Sequence, residues 1–456
     1  MGTFKKTVLN VVDVPKLMDT KITTHTLEQA LRLRKQDQAA IEKEQLVLLK
    51  KHLHHALNVP FYRDLFTTQG FEIESIKSLK DLSRLPLTTR KNLDQSSEKF
   101  GLEDKEKFRD IALTSGTTGE PVIVPYTEND LHRLAFNEGV AFHSTGVQPG
   151  DSILLTVTLD RCFIAGIAYY SGVTFLGASA IRSGPGQPAR QWHIIDKLKP
   201  RVIVGVPTFL KELGSWGVKN GIDVGKSPID TIITIGEPAK RADHSLTALG
   251  RTLEELWGGK IYSSYGATEF ETAFCECRES VGGHVHPELM LVEIIDEAGK
   301  TLPDGEPGEV VVTPLGVEGF PLVRFRTGDI ARIDSSPCKC GWNSVRLGPI
   351  EGRLDQRLKY KGTTLYPETV FHVLQDIEGI KGAYLEVRSA ADGADDIAII
   401  VGCDDVELDV GKIEERLQAH LRVRPSIEVK ASEEVVAKMT QEGGRKPKKF
   451  FDFRSK

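Results

Sequence analysis

Five short segments of the chain gather glycines, hydroxyls, carboxylates and arginines at close spacing, and the first could hold an anion. The first is Leu113-Thr114-Ser115-Gly116-Thr117-Thr118-Gly119-Glu120-Pro121. Glycines such as Gly116 and Gly119 let a backbone close around an anion, so that successive N–H groups cradle phosphate oxygens. The hydroxyls of Ser115, Thr117 and Thr118 add donors that rotate to follow those oxygens. The spacing G-x-x-x-x-G-K-[ST] is absent, which excludes a P-loop nucleotidase. Taken alone, a Ser/Thr/Gly run is an ordinary solvated turn. Downstream stand Gly236-Glu237-Pro238, Tyr265-Gly266-Ala267-Thr268-Glu269, Arg326-Thr327-Gly328-Asp329 and Gly352-Arg353-Leu354-Asp355. A second kind of chemistry resides in sulfur. Of the six cysteines, four form the C-x-C pairs Cys275/Cys277 and Cys338/Cys340, and His284 and His286 lie between the pairs. Soft thiolates with one imidazole suit tetrahedral zinc better than they suit disulfides; the alternative is reduced cysteines in ordinary packing.

The elements that must position these residues read as α/β. Thr26 to Asn58 carries the apolar stripe of one long helix, through Leu27, Ala30, Leu31, Leu46, Leu49 and Leu53. From Asp151 onward short apolar runs alternate with amphipathic ones. Ser152 to Val157, Thr174 to Ile181, Val202 to Val206, Thr231 to Ile235 and Lys260 to Ser263 read as strands. Gln191 to Leu198, Thr208 to Trp216 and Arg241 to Trp257 read as helices between them. Such alternation predicts a doubly wound parallel sheet with helices on both faces. After Gly266 the pattern becomes β-rich, with hairpin strands at Leu289 to Ile295 and Gly308 to Pro314. Beyond Gly352 a small α+β unit follows, with helices at Thr369 to Ile377 and Val410 to Leu421 and strands at Ala383 to Val387 and Ile397 to Val401. The expected division is a large N-terminal domain over residues 1–352 and a mobile C-terminal domain over 353–456, joined by a hinge.

The five motifs, in this order, resemble the adenylate-forming superfamily of acyl-CoA synthetases, peptide-synthetase adenylation domains and luciferases. Val59-Pro60-Phe61-Tyr62-Arg63, Leu291-Val292-Glu293-Ile294-Ile295-Asp296 and Leu322-Val323-Arg324-Phe325 narrow the resemblance to phenylacetate–CoA ligases. It implies an acid–thiol ligase. A carboxylic acid, aryl or arylalkyl, is activated by ATP as an acyl-adenylate and then passed to the thiol of coenzyme A. The alternative acceptors are a carrier-protein phosphopantetheine or an amine.

Roles implied by the resemblance follow residue by residue. Ser115, Gly116, Thr117, Thr118 and Gly119 would hold the β- and γ-phosphates. Glu269 would bind Mg²⁺ and Thr268 the α-phosphate. Gly236, Glu237, Pro238, Tyr265 and Gly266 would frame the adenine. Asp329 would accept the ribose hydroxyls, with Arg353 in support. A cation must also bridge carboxylate and phosphate in the transition state. The C-terminal run Gly444-Arg445-Lys446-Pro447-Lys448-Lys449 selects Lys446, with Lys448 the alternative. Asp355 would be the hinge, and Tyr360-Lys361-Gly362-Thr363 would face the thiol after the C-terminal domain swings. The loop departs from the superfamily at Glu120, where lysine is usual. For zinc, the resemblance selects Cys277, His284, Cys338 and Cys340 as a structural site, with Cys275 and His286 the substitutes that spacing leaves open. Phe136, Phe163, Ile164, Val206 and Pro207 are candidates for the acid pocket.

Composition sets the outer limits. The chain has 456 residues, 40% hydrophobic and 27% charged, which excludes a disordered or coiled-coil chain. With 59 Lys and Arg against 64 Asp and Glu, the net charge is −5, so no basic surface draws nucleic acid or an anionic membrane. No apolar run approaches the roughly 18 residues that span a bilayer. The N-terminus has no signal-peptide core, and Lys6 stands where a myristoylation pattern needs Ser or Thr. A cytoplasmic enzyme is expected, with the acid, ATP and coenzyme A as partners and a homodimer left open.

Overall fold

The computed structural model describes residues 25–114, 121–360, 363–389, 395–404, 408–421, 423–440 and 447–454. The phosphate-loop residues Ser115 to Gly119, the loop residues Lys361 and Gly362, and Lys446 lie outside the described residues.

A six-stranded sheet is the core of the larger part. Its order is Ser179–Arg182, Ser152–Leu155, Val202–Gly205, Thr231–Ile235, Lys260–Ala267 and Thr272–Cys275. The first five strands are parallel and the last is antiparallel. Alternate side chains enter different clusters because strand side chains point to opposite faces. Ile153, Leu155, Val202, Val204, Ile233 and Tyr262 face Phe142, Tyr169 and Val173 on the helices Glu128–Thr145 and Ile164–Phe175. Leu154, Ile203, Ile232 and Ile261 face Trp192, Leu213, Leu253 and Trp257 on the helices Pro188–Leu198, Pro207–Lys219 and Ala248–Trp257. Both faces are therefore dry, which is why these strands read as continuous apolar runs.

Three expected elements differ. The long N-terminal helix is two helices, Leu27–Arg34 and Gln38–Ala56, because Asp37 turns to accept the Ala40 N–H and caps the second. Thr174 to Ile181 is the end of a helix, Gly177 at φ +79°, and a short strand. Thr174 and Phe175 finish the Ile164–Phe175 helix, whose Val173 shares a buried cluster with Phe142 of the Glu128–Thr145 helix. The two helices touch at glycines: a Cβ on Gly172 would come within 2.2 Å of the Glu138 Cβ. Arg241 to Trp257 becomes helical only at Ala248, where Thr247 caps the turn by accepting from the Gly250 N–H.

The β-rich part is an antiparallel sheet of Met290–Ile295, Gly308–Pro314, Phe325–Ala331 and Gly352–Arg353. From Leu358 onward the chain builds a core of its own, in which Leu358, Val370, Leu385, Ile399 and Leu417 meet. Its four-stranded sheet runs Ser426–Lys430, Asp395–Gly402, Gly382–Ser389 and Phe450–Asp452. Among the described residues no helix is long and apolar enough to cross a membrane.

Candidate active site

In open parallel sheets, ligands bind beyond the carboxyl ends of the strands. Thr231–Ile235 and Lys260–Ala267 are neighbours, with Ile235 opposite Ser264. Gly236, Glu237 and Pro238 leave the first strand, and Tyr265 to Glu269 finish the second. Gly236 needs its freedom here, since its φ is +72°. The Glu237 carboxylate accepts from the Thr208 N–H and hydroxyl, each at 3.1 Å, at the start of the Pro207–Lys219 helix. Its side chain thus fixes that helix against the turn. Gly266 has a packing reason for its size: a Cβ would lie 2.8 Å from the Thr272 carbonyl oxygen.

Tyr265 donates its hydroxyl to Asp329 Oδ2 at 2.6 Å, and Arg353 Nε donates to Asp329 Oδ1 at 2.9 Å. Asp329 and Arg353 are cross-strand partners, which sets their distance from the backbone up. Burial, and then the Asp329 charge, pushes the Tyr265 hydroxyl well above its ordinary range, so it stays a donor. Its ring lies parallel to Phe274, centroids 6.0 Å apart. A buried carboxylate held by two donors is thereby formed from three segments, Tyr265 lying 64 residues before Asp329 and Arg353 24 residues after it.

Thr268 to Phe270 form a single 3₁₀ turn, and Glu271 follows in the left-handed region at φ +52°. Arg133, fully buried, secures that reversal by donating to the Glu271 carbonyl at 2.8 Å and the Thr272 hydroxyl at 2.9 Å. Tyr126 donates to the Thr268 carbonyl at 3.2 Å. Glu269 is presented toward Arg90, whose Nη1 donates to Oε1 at 2.9 Å. Burial raises the Glu269 carboxyl above its ordinary value, and Asp329 adds to this; Arg90 and Arg353 act against it. The Glu269 carboxylate is a hard oxygen donor, the type of ligand that Mg²⁺ takes together with phosphate oxygens.

Thr268, Glu269, Tyr265, Gly266, Asp329 and Arg353 are thus brought together, and Gly236, Glu237 and Pro238 adjoin them. Ser115 to Gly119 and Lys446 lie outside the described residues. Arg90, Tyr126 and Arg133 belong to the site and were absent from the sequence reading. Nothing local marks them, because their partners are contributed by distant strands. Of the pocket candidates, Phe136 is core: it packs edge-on against His25 and Phe175 and joins Ala30, Val140, Leu289 and Trp342.

The sulfur residues converge as well. The ligand atoms of Cys277, His284, Cys338 and Cys340 all lie within 4.8 Å of one another. Cys277 Sγ is 3.7 Å from Cys338 Sγ, and Cys340 Sγ is 3.3 Å from His284 Nε2. Tetrahedral sulfur ligands about 2.3 Å from zinc stand about 3.8 Å apart, so the donor set fits. His284 Nδ1 sits 3.1 Å from the Ser344 carbonyl. Donating there leaves Nε2 free to face the sulfurs, the second-shell arrangement that orients a metal-bound imidazole. Cys275 is buried in the sheet core, its thiol pushed well above its ordinary value by burial. His286 instead lies with Nδ1 2.6 Å from Arg34 Nη2, and Arg34 Nη1 pairs with Glu288 Oε1 at 2.7 Å. Burial, then Arg34, holds His286 well below its ordinary range and hence neutral.

Residues 43–317 match the model of the family described as AMP-binding enzyme. The chain is 30% identical over 351 residues to the phenylacetate-coenzyme A ligase of Thermus thermophilus, covering 76% of this chain and 77% of that protein. It is 29% identical to the phenylacetate-coenzyme A ligase of Pseudomonas putida, covering 76% and 78%. The solved structure of 2-hydroxyisobutyryl-CoA ligase in the postadenylation state, in complex with 2-HIB-AMP, superposes with a TM-score of 0.82 at 21% identity, covering 92% of this chain and 91% of that one, a likeness of fold. The chain is therefore a member of the AMP-binding enzyme family, within the adenylate-forming superfamily.

Proposed function

We propose that the protein is an AMP-forming acid–thiol ligase that converts a carboxylic acid to its coenzyme A thioester. The observation that carries this reading is the bonded cluster of Tyr265, Asp329 and Arg353 beside the Thr268–Glu269 turn. In the first half-reaction a carboxylate oxygen attacks the α-phosphorus of ATP and pyrophosphate leaves. In the second the thiol sulfur attacks the acyl carbon, the acyl–oxygen bond to AMP breaks, and the thiol proton passes to solvent. Asp329, oriented by Tyr265 and Arg353, accepts the two ribose hydroxyls, and the Ser115 to Gly119 backbone holds the outgoing phosphates. Glu269 would hold Mg²⁺, which supplies neutralisation of phosphate charge when bound. Thr268 hydrogen-bonds the α-phosphate, and Lys446 bridges it to the carboxylate.

Lys446 belongs to the unit that begins near residue 353, and the second half-reaction needs that unit in another pose, turning at Asp355. The contacts such a turn would exchange are specific. Arg241 and Arg251 both pair with Asp376, at 2.7 and 2.6 Å. The acid is assigned as aryl or arylalkyl, supported by the name of the two ligase relatives. Zinc is assigned to Cys277, His284, Cys338 and Cys340 as a closed structural site, supported by their spacing.

ATP–pyrophosphate exchange over a panel of acids, with and without coenzyme A, tests the reading. Acid-dependent exchange and thioester formation are expected. Exchange that never yields a thioester would move the acceptor to a carrier-protein thiol or an amine. ATP binding with no exchange for any acid would refute catalysis.

A further inference from the structure

Two half-reactions ask two poses of the C-terminal unit, and the present arrangement is nearer one of them. 2-Hydroxyisobutyryl-CoA ligase superposes with a TM-score of 0.82 in its postadenylation state and 0.68 in its thioesterification state, covering 92% and 93% of this chain. Contacts across the seam between the two parts therefore belong to the pose of the first half-reaction.

Asp376 stands at that seam. It ends the Pro367–Gln375 helix, and Arg416 Nη1 donates to its carbonyl at 2.9 Å, so its backbone is fixed within the C-terminal unit. Its own helix gives the carboxylate no support, because a helix C-terminus disfavours negative charge. Both oxygens are instead engaged across the seam. Arg241 Nη2 donates to Oδ2 at 2.7 Å and Arg251 Nη2 to Oδ1 at 2.6 Å. One acceptor, the Leu246 carbonyl, holds the two guanidinium groups side by side, at 2.7 and 2.9 Å. Arg241 follows Lys240, which is sealed against Glu276, and Arg251 lies on the Ala248–Trp257 helix, so both cations are fixed to the larger part. Beside these pairs the seam is loosely packed. An open cavity of about 310 Å³ has Thr252 and Glu255 on one side and Gln375 and Glu378 on the other. Relative motion is the default for a polar interface of this kind. Another ion pair across the seam, Arg357 with Glu297, lies two residues from Asp355, where a turn moves the chain least. Asp376 lies farther along, and a turn at Asp355 carries it away from both arginines.

We propose that Arg241, Arg251 and Asp376 are positioning residues for the first half-reaction: the two arginines catch the Asp376 carboxylate and hold the C-terminal unit in the adenylation pose, and passage to the second half-reaction releases that catch. This rests on the ligase reading.

Single-turnover rates of the two half-reactions, on the full chain, test it. Adenylation is measured with ATP and phenylacetate, or the panel acid that exchanges fastest, and thioester formation with the preformed adenylate of that acid and coenzyme A. Each rate draws on the population of its own pose, so their ratio follows the pose equilibrium wherever it starts. Losing two charge-assisted pairs at a partly exposed seam implies that Asp376→Ala raises the ratio of thioester formation to adenylation about 3- to 30-fold. The double variant Arg241→Ala/Arg251→Ala, on the opposite side, does the same, and Asp376→Glu, which keeps the charge, falls between wild type and Asp376→Ala. A residue that only stabilised the fold would lower both rates by one factor. An unchanged ratio in both Asp376→Ala and the double variant, or equal loss of both rates, would overturn the proposal. Wild-type protein that forms neither adenylate nor thioester with any acid of the panel would overturn the ligase reading, and this proposal with it.

Discussion

Lys240 and Glu276 tie the active-site strand to the sulfur cluster, and Lys240→Met should show how much of the fold depends on that tie. The ammonium lies 2.7 Å from Glu276 Oε2, and the two side chains are 4% and 2% exposed. It also donates to the Ser280 hydroxyl at 2.6 Å and carbonyl at 2.9 Å. Lys240 follows the Gly236–Pro238 turn, and Glu276 stands between Cys275 and Cys277. Removing one partner of a buried pair costs about 3–5 kcal/mol, because the other charge is left unpaired. Here Glu276 retains the Ser263 N–H at 2.8 Å and the Gly282 N–H at 3.3 Å, and methionine keeps most of the methylene packing. The lower end, about 3 kcal/mol, is therefore expected, roughly a hundredfold shift toward the unfolded state. Lys240→Met with Glu276→Gln should recover about 1–2 kcal/mol, since no bare carboxylate remains. Urea unfolding followed by tryptophan fluorescence measures both. A loss under about 1 kcal/mol, or a double variant as unstable as the sum of its singles, would refute the reasoning.

Other expectations are as direct. Burial lowers the His52 imidazole from 6.5 to about 3, with Nε2 on the Leu322 carbonyl at 2.8 Å. Below pH 6.5 the unfolded chain takes up a proton that the folded one refuses, so stability falls with pH, by roughly 2 kcal/mol from this group at pH 5. His52→Asn should lose correspondingly less than wild type between pH 7.5 and 5 in urea titrations; equal losses would sink the assignment. Elemental analysis of protein purified without added metal should find about one zinc per chain, and Cys338→Ser should abolish it and lower the melting temperature. Folded wild-type protein without zinc would contradict the site. Lys446→Ala should cut adenylation by about 100-fold or more while sparing thioester formation from a preformed adenylate, and equal loss of both steps would contradict its role.

The parallel sheet was legible because burial on both faces leaves a strong signature, as Val202 to Val206 and Thr231 to Ile235 show. The misread elements are those where a tertiary contact or a cap outweighs local pattern. Asp37 breaks a continuous apolar stripe by capping, and Val173 and Thr174 are β-branched yet helical because Gly139 and Gly172 admit a neighbouring helix. The site divides in the same way. Tyr265, Glu269 and Asp329 stand in contiguous motifs, whereas Arg90 and Arg133 acquire meaning only where the chain returns from a distance. For the sulfur cluster, spacing could not choose between His284 and His286. Two residues apart, they are separated by Ser344, which orients one, and Arg34, which claims the other.

A pattern links these distant partners. Four carboxylates in and around the site each have a cation within 2.9 Å: Asp329 has Arg353, Glu269 has Arg90, Glu276 has Lys240 and Glu288 has Arg34. A net charge of −5 over 456 residues then understates how much charge the molecule buries and how little field it projects. Paired charges cancel beyond about 10 Å at ordinary ionic strength, so long-range steering contributes little to capture of an anionic substrate. Discrimination must arise at contact, from donors whose directions are already set. That explains why the residues orienting the site are spread along the chain: each fixes one donor, and the fold supplies the rest of the geometry. It also separates two kinds of pair. Arg34 and Lys240 are sealed in and can only hold the scaffold, while the side chains of Arg90 and Arg353 are 30% and 48% exposed.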